Sequence, residues 1–371
     1  MLIFLFSASY KYIIKPLFFL FDPEKVHNFT TSFGEQIGKF KLLTGILAFF
    51  FGKKSPALKQ KINGINFDSP LGLAAGFDYE AKTLNVLHSL GFGFQTVGTI
   101  THLDYKGNTK PRLGRLPLSK SLMVNKGFKN KGVHWTSEKL NHINPIIPFG
   151  ISIGKTNIKS IDTQKDAIKD ILSAFKIFEE EKIKNSYYEL NISCPNLHGS
   201  VSFYPTKNLD ELLTAIDRLN IKKPIYIKMP INESNQAVKK MLDVIMKHKI
   251  SGVIFGNLQK DRNNSAIVKE ELKWQKGNFS GLPTQRRSDE LIALAYKHCG
   301  KKLIIIGCGG TFSAEDAYHK IKLGASLVQL ITGLIYEGPL LVAKINKELP
   351  KLLKRDGFKN ISEAIGSGIK N

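Results

Sequence analysis

The segment Leu303 to Gly333, LIIIGCGGTFSAEDAYHKIKLGASLVQLITG, decides the fold. It holds a β-branched run, a turn of bare glycine backbone, a helix start at Ser313-Ala314-Glu315, and a second β-branched run ending in Ile331-Thr332-Gly333. That order describes a strand, a crossover helix and a parallel strand. Towards the N-terminus six more runs alternate with helical stretches: LGLAAG (71–76), FGFQTVGT (92–99), FGISIG (149–154), YYELNIS (187–193), PIYIKM (224–229) and GVIFGN (252–257). With LIIIGCGG (303–310) and LVQLITG (327–333) they make eight. Eight strands with intervening helices and no long linker predict an α/β protein built as a (β/α)8 TIM barrel. The alternative, an open doubly wound sheet, would carry its glycine-rich phosphate turn after the first strand. Here the glycines cluster after the seventh and eighth, where barrels hold phosphates on backbone N–H groups.

The 371 residues are 42% hydrophobic, 10% aromatic and 23% charged, the composition of a folded globular chain and not of a disordered or coiled-coil one. Three cysteines, Cys194, Cys299 and Cys308, form no C-x-x-C pair, which excludes a disulfide framework, a zinc knuckle and a self-contained iron–sulfur site; no metal is expected. The formal charge of +23 comes mostly from lysines spread along the chain. No nucleic-acid motif accompanies them, so the charge reads as a solvated surface with a membrane-facing share and not as a nucleic-acid interface.

That share is placed at the N-terminus. Residues 1–21, MLIFLFSASYKYIIKPLFFLF, are apolar but interrupted by Lys11, Lys15 and Pro16, and so read as too short to span a bilayer. No small-residue cleavage site follows, so a signal peptide fits poorly. Asp22-Pro23-Glu24 is a helix start, with Asp as N-cap and Pro at the first helical position, and predicts a helix to about Lys41. A second apolar run, Leu42 to Gly52, is also short. Residues 1–62 hold nine Lys against Asp22, Glu24 and Glu35, a net +6. Apolar faces with cationic flanks predict helices lying in a membrane interface. The division expected is an extension over 1–60 and a barrel over 61–371.

The strand ends carry the chemistry. Asn191-Ile192-Ser193-Cys194-Pro195-Asn196 closes the fourth run, where barrel enzymes place catalytic groups. Two amides suit a planar ring with alternating C=O and N–H groups, and the thiol between them is a candidate base. Lys228 ends the fifth run, Asn257 the sixth, and Ser280-Gly281 precedes the seventh. A lysine buried in the mouth needs an anion, and a flavin, whose reduced form is anionic, supplies one.

With these residues in view the chain resembles the dihydroorotate dehydrogenases from about Ile14 to Leu353. KPLFFLFDPEKVHNF resembles the membrane-docking extension of the quinone-dependent, class 2 branch. LGLAAGFD, GNTKPRLGRLP, VNKGFKNKG, NISCPN, IKMP, SGLP, IIGCGG and GASLVQLITGLIYEGP resemble that family's blocks in order. The resemblance implies oxidation of dihydroorotate to orotate in pyrimidine synthesis, a CH–CH oxidation in which a base takes a proton from ring C5 while hydride leaves C6 for FMN. It implies Cys194 as base and Asn125, Asn191, Asn196 and Asn257 around the pyrimidine. The FMN set would be Ala75, Gly76, Thr99, Asn191, Lys228, Ser280, Gly281, Gly309, Gly310, Thr332 and Gly333. His27 and Arg115 match the quinone tunnel. The implied partners are dihydroorotate or orotate, a quinone and a membrane surface, with no iron–sulfur subunit.

The chain departs from that pattern in three places. Class 2 enzymes use Ser as base, and Cys194 is class 1-like. The family's lysine after GFD is replaced by Tyr79, leaving Lys82 or Lys126 to supply a cation. The sixth strand ends in Gly256-Asn257-Leu258, without the family's flanking hydroxyls. These departures sustain an alternative, an FMN enzyme acting on dihydroorotate or a related dihydropyrimidine with a soluble acceptor. A catalytically silent binding barrel is the remaining reading. The lack of an Arg- and Ser-rich presequence favours the cytoplasmic side of a bacterial inner membrane, with peripheral attachment.

Overall fold

The computed structural model describes residues 2–199 and 201–369. Eight parallel strands close into one barrel: β1 (Leu71–Leu73), β2 (Phe94–Ile100), β3 (Phe149–Ile153), β4 (Tyr187–Asn191), β5 (Ile225–Lys228), β6 (Gly252–Phe255), β7 (Ile304–Cys308) and β8 (Leu327–Leu330). Each pairs with its sequence neighbours, and β8 closes on β1 through Val328 opposite Leu71 and Leu330 opposite Leu73. Most of the apolar runs overshoot their strands. Leu71–Leu73 ends three residues before the run does, and Thr332, expected in a turn, begins the helix Thr332–Glu337. The surplus residues form the mouth loops, whose apolar side chains pack as strand residues do.

The barrel interior is layered. Phe94, Tyr187, Tyr226, Ile254, Ile306 and Leu327 fill one end, closed from below by Ile62 and Phe67 of the hairpin Gln60–Ile62, Ile65–Phe67. Glycines make room for these rings: a Cβ on Gly72 would stand 2.3 Å from the Phe94 ring, and one on Gly150 would stand 2.0 Å from Tyr187. Above them Glu189 accepts hydrogen bonds from Thr96, at 2.6 Å, and Gln329, at 2.5 Å. The next inward positions on β4 and β5 are Asn191 and Lys228. The interior thus runs from apolar to polar to cationic at the mouth.

A three-stranded antiparallel sheet, Leu113–Leu116, Ser121–Val124 and Asn278–Phe279, flanks the mouth. Three N-terminal helices cover it: α1 (Leu2–Phe19), α2 (Pro23–Lys39) and α3 (Lys41–Phe51). Asp22 caps α2 by accepting from Lys25 N at 2.9 Å, and α2 stops at Lys39 because Phe40 turns extended to begin α3. The expectation that Lys11, Lys15 and Pro16 break the first segment is corrected. The helix is continuous over 18 residues, and by length and composition alone it is apolar enough to cross a membrane. A π turn over Tyr10–Ile14, in which Lys15 N–H reaches back to Tyr10 O, opens the helix ahead of Pro16.

The loop after β1 is held by one carboxylate. Asp78 is 1% exposed and accepts from Lys82 N (2.8 Å), Thr83 N (2.8 Å), Thr83 Oγ1 (2.7 Å) and Gln95 Nε2 (2.8 Å). Asp78→Ala strands those donors, and unfolding in denaturant should show a loss of about 3 kcal/mol or more. A loss below about 1 kcal/mol would mean the loop is held by other contacts.

Candidate active site

One cavity of about 980 Å³ runs from the N-terminal helices into the barrel mouth. At the helical end it is walled by apolar side chains such as Phe18, Val26, Phe33 and Leu47, with Phe77 and Phe92 from the barrel loops. At the barrel end its wall is Asn191, Cys194, Asn196, Lys228 and Asn257. A chamber of about 100 Å³ adjoins that end, between Ser280-Gly281, Gly309-Gly310 and Thr332-Gly333, and shares Ala75, Lys228 and Asn257 with the cavity.

The amides are pre-positioned by hydrogen bonds. Asn257 Nδ2 donates to Ser193 Oγ at 2.6 Å, Ser193 Oγ donates to Asn191 Oδ1 at 3.2 Å, and Asn191 Nδ2 donates to Thr99 Oγ1 at 2.9 Å. Asn196 donates to Val124 O at 3.0 Å and accepts from Asn278 Nδ2 at 2.6 Å. Asn125 differs from the other expected ligands: it is buried behind the wall, with its Oδ1 bound by Asn108 Nδ2 at 3.0 Å. Asn108 also donates to Asn196 O at 2.9 Å, so it ties two site loops together. Sequence reading passes over Asn108 because Gly107-Asn108 reads as an ordinary turn.

Among the described residues the cavity wall carries Arg115, Lys126, Lys129 and Lys228 and no carboxylate. Arg115 donates to Phe21 O at 2.7 Å and lies over the Phe19 ring, and Lys129 pairs with Glu24 at 2.9 Å. Glu24 also takes Arg112 at 3.0 Å. Burial alone would raise the Glu24 carboxyl, but the hydrogen bonds from Lys129 and Arg112 outweigh it and hold it below the usual range. Lys82, one of two candidates for a site cation, is tied to Glu80 at 2.8 Å and is absent from the cavity wall. Lys126, the other, lies on that wall over the Tyr79 ring. His27 stacks on the same Tyr79 ring, 5.6 Å between centroids at 20°. Burial, then the charges of Lys126, Lys129 and Lys82, push its imidazole well below the usual range, so it is neutral at pH 7.

The small chamber suits a phosphate-bearing planar cofactor. Gly309 (φ +117°) and Gly310 (φ +66°) expose backbone where a Cβ would stand 2.5 Å from Thr284 Oγ1 and 2.3 Å from Gln285 Cβ. Ser280 and Thr332 add hydroxyls 2.8 Å apart, and Lys228 adds the cation.

The model of the dihydroorotate dehydrogenase family matches residues 57–353. The chain belongs to the dihydroorotate dehydrogenase family. It is 35% identical over 376 residues to the dihydroorotate dehydrogenase (quinone) of Trichodesmium erythraeum, covering 96% of this chain and 98% of that protein. It is 36% identical over 344 residues to the dihydroorotate dehydrogenase (quinone) of Christiangramia forsetii, covering 92% and 98%. Among solved structures, the Eimeria tenella enzyme in complex with ferulenol superposes with a TM-score of 0.80 at 25% identity, covering 94% of this chain and 96% of that one.

Burial pushes the Cys194 thiol up to about 12, against the pull of a backbone hydrogen bond from Asn196 and the charges of Lys228 and Lys260. Its thiolate is therefore scarce at neutral pH. Labelling by iodoacetamide at pH 8, followed by mass spectrometry, should be more than about ten-fold slower at Cys194 than for a free cysteine, and should rise steadily to pH 10. A plateau below pH 9 would contradict this electrostatic picture.

Proposed function

We infer that this chain oxidises dihydroorotate to orotate and delivers the electrons to a quinone, with FMN as cofactor. The observation that carries the reading is the single cavity with a polar, amide-lined end and an apolar, helix-walled end. A polar ring and a lipid-soluble acceptor need those two environments, and they need them connected. A water-soluble acceptor has no use for the apolar half, so the alternative acceptor is not favoured.

FMN would lie with its phosphate on Gly309-Gly310 and Thr332-Gly333, and with Ala75, Gly76, Thr99, Asn191, Ser280 and Gly281 around the rest. Lys228 would meet its anionic edge. Bound there, the flavin accepts a hydride and passes electrons on. The pyrimidine would be held by Asn191, Asn196 and Asn257, with Asn125 stiffening the wall behind them. Cys194 would take the proton from ring C5 as thiolate, so its high pKa makes the step faster as pH rises. The quinone would enter between the helices and pass neutral His27 and Arg115.

Residues 1–60 serve as the membrane-facing, quinone-access extension and 61–371 as the catalytic barrel. The extension is docked along its length: Tyr10 donates to Ile335 O at 2.8 Å and Lys15 to Tyr336 O at 3.1 Å. These two bonds hold the middle of α1 against the helix Thr332–Glu337 of the barrel mouth. Phe4, Tyr12, Leu20, Phe21, Phe33, Leu42 and Phe49 are exposed and would enter the interface. This supports peripheral attachment, proposed for the cytoplasmic face of a bacterial inner membrane.

Anaerobic addition of dihydroorotate should bleach the flavin of the purified protein. Cys194→Ala should keep its flavin yet bleach at least ~10²-fold more slowly, and Cys194→Ser should retain part of the rate with a more alkaline profile. Bleaching of the Ala variant at the wild-type rate removes the base role, and a wild type that does not bleach removes the functional reading.

A further inference from the structure

Of the four cations on the cavity wall, Lys129 pairs with Glu24 and Arg115 is held by the carbonyls of Phe19 and Phe21, whereas the ammonium groups of Lys126 and Lys228 have neither an ion pair nor a hydrogen bond among the described residues. Lys228 adjoins the glycine-lined chamber. Lys126 stands elsewhere. Its Nζ lies 4.4 Å from the centroid of the Tyr79 ring, and Tyr79 is itself fixed, by stacking on His27 and by donating to Asn28 Oδ1 at 3.4 Å. The nearest carboxylates are committed, Glu24 to Arg112 and Lys129, and Glu80 to Lys82. A cation in this setting keeps its charge only against an anion, because a ring face recovers a small part of the lost hydration. The Lys126 carbonyl accepts from Asn108 N at 3.2 Å, and Asn108 binds both Asn125 and Asn196, so the lysine's backbone is tied to the asparagine cluster while its ammonium lies on the Tyr79 ring where the two ends of the cavity meet.

We propose that Lys126, laid on the Tyr79 ring, binds the carboxylate of dihydroorotate and orotate. The proposal rests on the functional reading above and names the residue that gives it selectivity for an acidic pyrimidine. The asparagines match the ring's C=O and N–H groups, and the carboxylate is the substrate's one ionic group. A quinone is neutral and would leave the charge uncompensated. Tyr79 acts as a positioning residue, a flat plate that fixes where the ammonium lies. Burial lowers the Lys126 ammonium to about 7, with Glu24 and Glu80 holding it up and Lys129 and Arg112 pressing it down; neutral His27 and the Tyr79 hydroxyl complete its surroundings. An arriving carboxylate favours the charged form, so orotate binding should weaken as pH rises above 7.

The test uses the flavin-loaded full-length protein, titrated with orotate and read by the flavin absorbance change. Lys126→Met and Lys126→Gln should each weaken orotate at least about ten-fold and raise the dihydroorotate KM similarly, with kcat at saturation and the quinone KM changed less than about three-fold. Lys126→Arg, charged at every pH used, should bind orotate with a flat pH profile. Unchanged orotate affinity in both neutral variants overturns the proposal, as does a change confined to the quinone KM. A wild type whose flavin ignores orotate overturns the functional reading instead.

Discussion

An uncompensated positive charge in a half-apolar cavity is the constraint on which the site depends. Four basic side chains and no carboxylate face that space among the described residues, and the nearby acids are consumed, Glu24 by Arg112 and Lys129 and Glu80 by Lys82. Because Glu24 is on α2 and both partners are on barrel loops, the same ion pairs fasten the helical cover to the mouth. With Arg115 held by the carbonyls of Phe19 and Phe21, Lys126 and Lys228 are left to make the barrel end a binding place for anions. The Cys194 thiol depends on this balance too, since Lys228 offsets part of the burial that raises it.

The two ends of the cavity differ because different parts of the chain build them. Strand ends supply the Lys228 ammonium and amides held by hydrogen bonds, whereas α1–α3 supply aromatic and aliphatic side chains with few polar atoms. Between them lie Phe77, His27 and Tyr79, with His27 packed edge-on to Phe77 at 5.0 Å and face-on to Tyr79. This aromatic collar keeps water from passing freely, while a neutral imidazole avoids adding a fifth charge.

The barrel was legible because strands buried on both faces must be runs of Val, Ile and Leu, and eight such runs in sequence leave few alternatives. Their ends were less legible, because Ala74-Ala75 and Ile331 stay apolar after the hydrogen-bond ladder stops. Cys194, Lys228 and the glycine turns could be placed by their position after a strand. Asn108 could not, since its importance lies in contacts with Asn125 and Asn196 far along the chain. Nor could sequence choose between Lys82 and Lys126; the choice is made by Glu80, which captures one and leaves the other on the cavity wall. Continuity of α1 was hidden by Lys15, whose ammonium reaches Tyr336 O beside the helix.

The central claim is that one cavity serves two half-reactions at opposite ends. Stopped-flow measurement of both on a variant that fills only the helical end, Val26→Trp, tests it most directly. Flavin reduction by dihydroorotate should stay within about two-fold of wild type while reoxidation by a long-chain quinone slows at least about ten-fold, a difference of ~1.4 kcal/mol or more. Equal slowing of both half-reactions, or reoxidation at the wild-type rate, would contradict it.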